Sequence, residues 1–269
     1  MKGVSKMTKV TNLTLPLYPG MPVGNVWAWD APFRQEPIVT LEDNGVRIDA
    51  ISLHSETGTR LMMAATIDEQ APTIGQIDFN KFVNHEAVVI DIPKDAEEEI
   101  IPEDIDRYVV SDPDYQEGDI VLIRTGWGND RRFEKLGDDY AIRTPHFSEA
   151  GSIRLTEVMK SKGSDTVAID VAYVGSCGWK HMKQEWVDLP KWLRPPFPSE
   201  TAKIYLKNYT RDKSWIDWAA SWPLHEQGYI IAALCNLDQI TSKRVKLTAL
   251  PLFARDCIGA PVTVVAIEE

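Results

Sequence analysis

The chain has 269 residues, 43% of them hydrophobic and 26% charged, and a formal net charge of -11. That length suits one large domain or two small ones. The acidic balance argues against a nucleic-acid partner, whose phosphates call for a basic surface, and the longest apolar runs, such as Tyr229 to Cys235, are too short to span a bilayer.

No composition break, repeat or low-complexity linker divides the sequence, so a single domain over residues 1–269 is expected. Cys177, Cys235 and Cys257 show neither metal-type spacing nor an even framework. That is the pattern of a reduced, cytoplasmic protein. Residues 1–20 are slightly basic but lack an apolar h-region, so no signal peptide is expected.

In chain order, Leu17-Tyr18-Pro19-Gly20-Met21-Pro22 predicts an irregular turn segment. Trp27 and Trp29 follow, two residues apart. They either pack on the core or a partner subunit, or wall a substrate pocket. Val46 to Leu53 has weak strand character and leads into Ile51 to Asp68, whose middle reads Glu56-Thr57-Gly58-Thr59-Arg60. After that Gly-Thr turn an extended segment would place residues 60, 62, 64 and 66 on one face. Glu86 to Ile92 reads as a buried strand, and the acidic run from Asp95 to Asp106 as a solvated face. Pro102 to Val110 predicts a short helix with Pro at its start and Ile105, Tyr108 and Val109 on one side.

Gly118 to Gly128, GDIVLIRTGWG, predicts a strand ending in a Gly-bounded turn, with Arg124 in a structural ion pair. Residues 148–162 predict a helix capped by Ser148, ended by Gly163, and apolar at Ile153, Leu155, Val158 and Met159. Asp165 to Gly175 predicts another strand. Its Asp170 is either hydrogen-bonded within the fold or, facing a cleft, able to orient a donor group. Residues 176–222 hold Trp179, Trp186, Trp192, Trp215, Trp218 and Trp222. So long a polar, Trp-rich connection predicts a lid or a subunit contact. Tyr229 to Leu237, Val245 to Leu252 and Pro261 to Ile267 close the chain as strands.

Taken in order, the Thr-Gly-Thr core, the VLIRTGW strand, the Ile-Asp strand, the Leu-x-Asn-Leu segment and the C-terminal Pro-Leu and Gly-x-Pro elements resemble the cyclase family. That family includes bacterial kynurenine formamidase and isatin hydrolase. The resemblance implies an α/β, swivelling β/β/α fold with a mixed sheet, and a homo-oligomer with pockets near subunit contacts. In the family the central stretch reads His-x-Gly-Thr-His-x-Asp-x-Pro, followed by a further His, and its His and Asp residues hold a divalent metal. Anchored on Thr57-Gly58-Thr59, the two His positions hold Glu56 and Arg60, the Asp position Met62, the Pro position Ala64 and the last His position Thr66. The family's later metal-ligand Glu falls on Ala232, and its preceding His near Ala220, with His225 the nearest candidate. Arg60 has no lone pair to donate, and Met62 offers only a soft thioether.

The expectation is therefore an enzyme for a small cyclic carbonyl or amide compound that does not retain the family Zn or Mn site. The candidate catalytic residues are Glu56 and Arg60, with His225 as proton donor. The candidate substrate-binding residues are Trp27, Trp29, Thr59, Thr66 and Asp170. Arg60 would take the metal's electrostatic role at a developing oxyanion or enolate. A non-catalytic binding relative is the alternative. Two further readings stay open: Glu56 and Arg60 as a local salt bridge, and a rebuilt metal site from Glu56, His54, Asp68 or His225. The expected partners are a small-molecule substrate and further copies of the chain, as a homodimer or homotetramer.

Overall fold

A computed structural model describes residues 8–25, 30–175 and 222–269. Trp27, Trp29 and the Trp-rich segment up to residue 221 lie outside the described residues.

Among the described residues the strands are β1 (Lys9–Asn12), β2 (Arg34–Val39), β3 (Ile48–Ser52), β4 (Arg60–Met63), β5 (His85–Asp91), β6 (Glu99–Ile100), β7 (Ile120–Arg124), β8 (His146–Phe147), β9 (Thr166–Ile169), β10 (Tyr229–Ala232), β11 (Arg244–Pro251) and β12 (Gly259–Glu268). Eight form one mixed sheet in the order β1-β12-β11-β5-β7-β9-β10-β4, and a further β12–β4 pairing closes seven of them into a ring. β5, β7, β9 and β10 run parallel to one another. The remaining ring contacts are antiparallel. β2 and β3 form a separate two-stranded ribbon.

Strand alternation explains the two apolar compartments. Leu61 and Met63 of β4 join Val89, Leu122, Ala168, Ile231, Leu247 and Val264 inside the ring. Met62 joins Val88, Val121, Val167, Ile230 and Ala232 on the outer face, under Leu155, Val158 and Met159 of the helix Glu149–Ser161 and Leu224 of the helix Trp222–Gln227. Each such fully buried aliphatic side chain contributes about 1.5–3 kcal/mol.

The helix Glu149–Ser161 begins where Ser148 accepts from the Gly151 N–H at 3.0 Å, and Gly163 beyond it has φ +64. Its buried side differs from expectation. Ile153 is 44% exposed, while Ser152 and Thr156 are buried. Pro102–Asp104 starts as an α-helical turn and continues as a π-helix over Ile105–Val110, burying Ile105 and Val109. Arg124 forms an ion pair with Asp91 at 2.5 Å and donates to the Leu237 and Ile240 carbonyls.

The expected one-face run of residues 60, 62, 64 and 66 is not formed. β4 ends at Met63, and Ala64–Thr66 turns into a 3-10 helix, which takes Thr66 off the strand face. What locks β4 in place is Thr59. Its hydroxyl donates to the Ala233 carbonyl at 2.6 Å and accepts from the Leu15 N–H at 2.8 Å, fully out of water. Thr59→Val leaves both backbone groups unpaired and should lower stability by about 1–3 kcal/mol. Urea denaturation checks this, and an unchanged midpoint would show that the strut carries no weight.

Candidate active site

The turn that carries the central motif is closed by its own residues. The Thr57 N–H donates to the His54 carbonyl at 3.1 Å, and the His54 N–H donates to Thr57 Oγ1 at 3.1 Å. Gly58 follows in the left-handed region at φ +66, where a Cβ would stand 2.8 Å from Leu17 Cδ2. That left-handed conformation favours glycine. The turn delivers Arg60 to the first position of β4, on the outer face of the ring.

Arg60 is 1% exposed. Its Nε donates to Glu56 Oε2 at 2.7 Å, one Nη donates to the Gly58 carbonyl at 3.3 Å, and the guanidinium carbon lies 4.8 Å from the centre of the Tyr173 ring. A guanidinium withdrawn from water costs several kcal/mol unless carboxylate and hydrogen-bond partners compensate, and a ring face adds a cation–π contribution. The Glu56–Arg60 pair is therefore more than an exposed four-apart salt bridge worth a few tenths of a kcal/mol. Glu56 Oε1, by contrast, is buried with no hydrogen-bond partner among the described residues, as is Thr66 Oγ1. Buried polar atoms left unpaired are uncommon in native proteins and call for a ligand, a water or a function.

His225, on the helix Trp222–Gln227, is 3% exposed. Its Nδ1 lies 3.3 Å from the Met63 carbonyl. A carbonyl only accepts, so Nδ1 carries the proton and the neutral ring presents Nε2 as an acceptor. Burial pushes His225 below the ordinary imidazole range. The Glu56 charge opposes this and the Arg60 charge adds to it, so all three groups act on one another. Burial thus favours the neutral ring, which can accept a proton at Nε2.

Glu56 and Arg60 are bonded to each other, and His225 lies within electrostatic reach of both. Thr59 supports the site from behind, its hydroxyl wholly committed to backbone. Asp170 is committed to the turn after β7. It is fully buried, and it accepts from the Thr125 N–H and hydroxyl and the Gly126 and Gly128 N–H groups at 2.6–3.3 Å. Burial pushes its carboxyl up while those donors pull it down. Its role is to hold the turn after β7. Cys235 is no nucleophile, because burial pushes its thiol up to about 12. Tyr173 and Gly24 were not anticipated. Tyr173 lies beyond the paired end of β9, and Gly24 sits in an irregular loop, so neither carries a local pattern that points to Arg60.

The residues at the family's ligand positions do not fit a divalent metal. One oxygen of Glu56 is already bonded to a cation, Arg60 places positive charge where a ligand would stand, and Ala232 lies opposite Arg60 as its pairing partner in β10. Of the residues considered for a rebuilt site, His54 and Asp68 are committed elsewhere. Both ring nitrogens of His54 bond to backbone, and Asp68 is exposed and caps Gln70. Among the described residues no group of three or more His, Cys, Asp or Glu side chains is arranged to hold a metal.

The closed mixed ring defines an α/β fold with a candidate site at its seam. A family model for cyclases matches residues 11–171, and the chain belongs to the cyclase family. Isatin hydrolase A from Labrenzia aggregata, bound to benzyl benzoate, shares the fold at 22% identity with a TM-score of 0.71, over 97% of this chain and 93% of that one. Isatin hydrolase A from Ralstonia solanacearum does so at 18% identity and 0.69, over 97% and 92%. A protein described as a predicted metal-dependent hydrolase from Bacillus stearothermophilus does so at 19% and 0.63, over 98% and 100%. No curated protein matches the chain. Among the described residues no helix is long and apolar enough to cross a membrane.

The depressed His225 pKa has a consequence for stability. The folded state prefers the neutral ring, so this contribution is present above the unfolded value of about 6.5. It is lost as pH falls through the lower folded value. Denaturation midpoints measured between about pH 7 and about pH 5 should fall for the native chain and flatten for His225→Gln, which cannot titrate. Parallel curves would contradict the assignment.

Proposed function

We propose that the chain is a hydrolase that opens a small cyclic carbonyl or amide compound without the divalent metal of its family. The observation that carries this reading is the Glu56 carboxylate: one oxygen is held by a buried Arg60, the other is buried and unpaired. A purely structural salt bridge has no use for an unsatisfied oxygen, whereas a site for a water or an amide N–H does. The isatin hydrolase relatives, by their name, act on such a ring.

In this mechanism Glu56 Oε1 accepts one hydrogen of the attacking water and orients it. His225 Nε2 takes the other proton as the water oxygen bonds to the carbonyl carbon. The carbonyl oxygen gathers negative charge and faces the Arg60 guanidinium, whose planar donors suit an oxyanion. Collapse breaks the ring bond to the leaving nitrogen or oxygen, and His225 returns its proton to that atom. The product is the ring-opened acid, heavier than the substrate by one water.

Chelator-treated protein incubated with a panel of lactams and cyclic imides, isatin included, should yield such a product, read by mass spectrometry. Arg60→Ala should abolish turnover in a folded protein, and Arg60→Lys should recover little because the planar fork is lost. His225→Gln should lower kcat by about 10²–10⁴-fold, and Glu56→Gln should lower kcat more than it raises KM. Full activity in these folded variants would reduce the pair to a salt bridge. Stoichiometric Zn or Mn with activity lost on chelation would reject the metal-free reading.

The near-complete burial of Arg60 favours a second reading, a binding relative that keeps the pocket without the chemistry. Tight ligand retention with no product would select it. Assembly as a homodimer or homotetramer belongs to the same proposal. It is supported by the β2–β3 ribbon, which exposes Ile38, Ile48 and Ile51 with Leu41 in the connection between its strands, more apolar surface than an isolated ribbon carries well in water. Sedimentation as a monomer at micromolar concentration would count against it.

A further inference from the structure

In the loop before β2, Gly24 lies directly against the turn that carries Glu56. Its φ is +88, and a Cβ there would stand 2.9 Å from Thr57 Cα, 3.1 Å from the Glu56 carbonyl oxygen and 3.1 Å from His54 Nε2. So close an approach of backbone to backbone requires glycine. The two polar groups of Gly24 face two different side chains. Its carbonyl lies 3.0 Å from His54 Nε2, and its N–H donates to the Tyr173 hydroxyl at 3.1 Å. One residue earlier, the Val23 carbonyl accepts the Gly58 N–H at 3.2 Å.

The His54 ring is specified at both ends. The Gly24 carbonyl only accepts, so Nε2 must carry a hydrogen. The Glu56 backbone N–H only donates, and it points at Nδ1 over 3.2 Å, so Nδ1 must present its lone pair. Only the Nε2–H tautomer satisfies both. His54 therefore grips the backbone of Glu56 on one side and Gly24 on the other, with Asp30 3.8 Å from Nε2. From Gly24 the chain of contacts passes to the Tyr173 hydroxyl, and the Tyr173 ring lies 4.8 Å from the Arg60 guanidinium carbon. The two members of the ion pair are thus held from opposite ends of one bridge: Glu56 through His54, Arg60 through Tyr173, with Gly24 between them.

We propose that His54 and Tyr173 are positioning residues that act through Gly24 to fix the angle at which Glu56 and Arg60 meet. Neither is assigned a part in moving protons. The proposal rests on the reading of Glu56 and Arg60 as the reacting pair, but the geometry it asserts is testable without a substrate. Removing one link should leave the ion pair intact on average and let it open more often, because each partner keeps its own direct bond but loses its brace.

The test is nuclear magnetic resonance of the full ¹⁵N-labelled chain, with two signatures. Long-range proton–nitrogen correlation reads the His54 tautomer. The Arg60 Nε–H signal, protected from solvent exchange by its bond to Glu56, reads the pair itself. Tyr173→Phe keeps the ring beneath Arg60 and removes the acceptor for the Gly24 N–H. His54→Phe keeps a ring and removes both the donor for the Gly24 carbonyl and the acceptor for the Glu56 N–H. Each should speed Arg60 Nε–H exchange by at least about tenfold, the equilibrium worth of one hydrogen bond. Ser148→Ala, which uncaps a remote helix, should leave that rate unchanged, so general loosening is told apart from loss of the bridge. An Nδ1–H tautomer at His54, or an Arg60 signal that neither variant moves, would overturn the proposal. Because these signals need no turnover, failure to hydrolyse any ring compound would strike the enzyme reading and leave the bridge standing, and an unmoved Arg60 signal would do the reverse.

Discussion

A guanidinium with 1% of its surface in water sets the terms for everything around it. Its charge must be met by nearby groups, and each group imposes a local constraint. Glu56 must lie four residues back across a turn rather than along a helix, so Gly58 adopts a left-handed conformation. The opposing residue on β10 must be small, and Ala232 is. Gly259, on the other neighbour of β4, has only 2.7 Å between an added Cβ and the Leu61 carbonyl and 3.5 Å to Glu56 Oε1. Ala232 thus leaves room beside the cation, and Gly259 beside its carboxylate.

The position of β4 in the ring makes this arrangement stiff. The strand has four residues, yet it pairs with β10 on one edge and β12 on the other, so it is the seam where the sheet closes. A closed ring has no free edge along which a short strand could slip. Leu61 and Met63 anchor it from inside, and Thr59 pins its entry to the backbone of residue 233. Side chains held on a rigid element keep their angles better than side chains on a loop. Electrostatic stabilisation works best when the charge is already in place before reaction.

Much of this fold is legible from local pattern. The apolar runs at 86–92, 118–124 and 229–232 are buried on both sides of a sheet, and such strands read as continuous hydrophobic segments. The alternation at 261–267 marks a strand in contact with the core on one face. Ring closure is not legible, since it depends on pairing Gly259–Pro261 with Arg60–Met62 across about two hundred residues of chain, and nothing local encodes that register. Extended periodicity puts Thr66 on the strand face, but the backbone turns into a 3-10 helix after Met63. Ile153 is exposed because helix Glu149–Ser161 presents Gly151, Ser152 and Leu155 to its neighbours, a packing choice made by the close approach of Gly151 to the Ile100 carbonyl. In the site, the Glu56–Arg60 pairing is legible from the four-residue spacing, whereas the lowered pKa of His225 comes from burial, which a sequence does not display.

Replacing a metal ion by an arginine changes how the labour must be divided. A divalent ion polarises a carbonyl and also acidifies the water bound to it, so one group performs both tasks. A guanidinium can receive a developing oxyanion, but it has no vacant orbital for water and leaves that water as unreactive as it finds it. The proton must then be removed by a separate base, and an imidazole can do so only in its neutral form. Burial keeps His225 in that state, and the Met63 carbonyl fixes which nitrogen is left to accept. On the proposed reading, then, the burial of the imidazole and the burial of the arginine are one adaptation: the cation supplies the charge that the metal would have supplied, and the histidine supplies the basicity that the cation lacks.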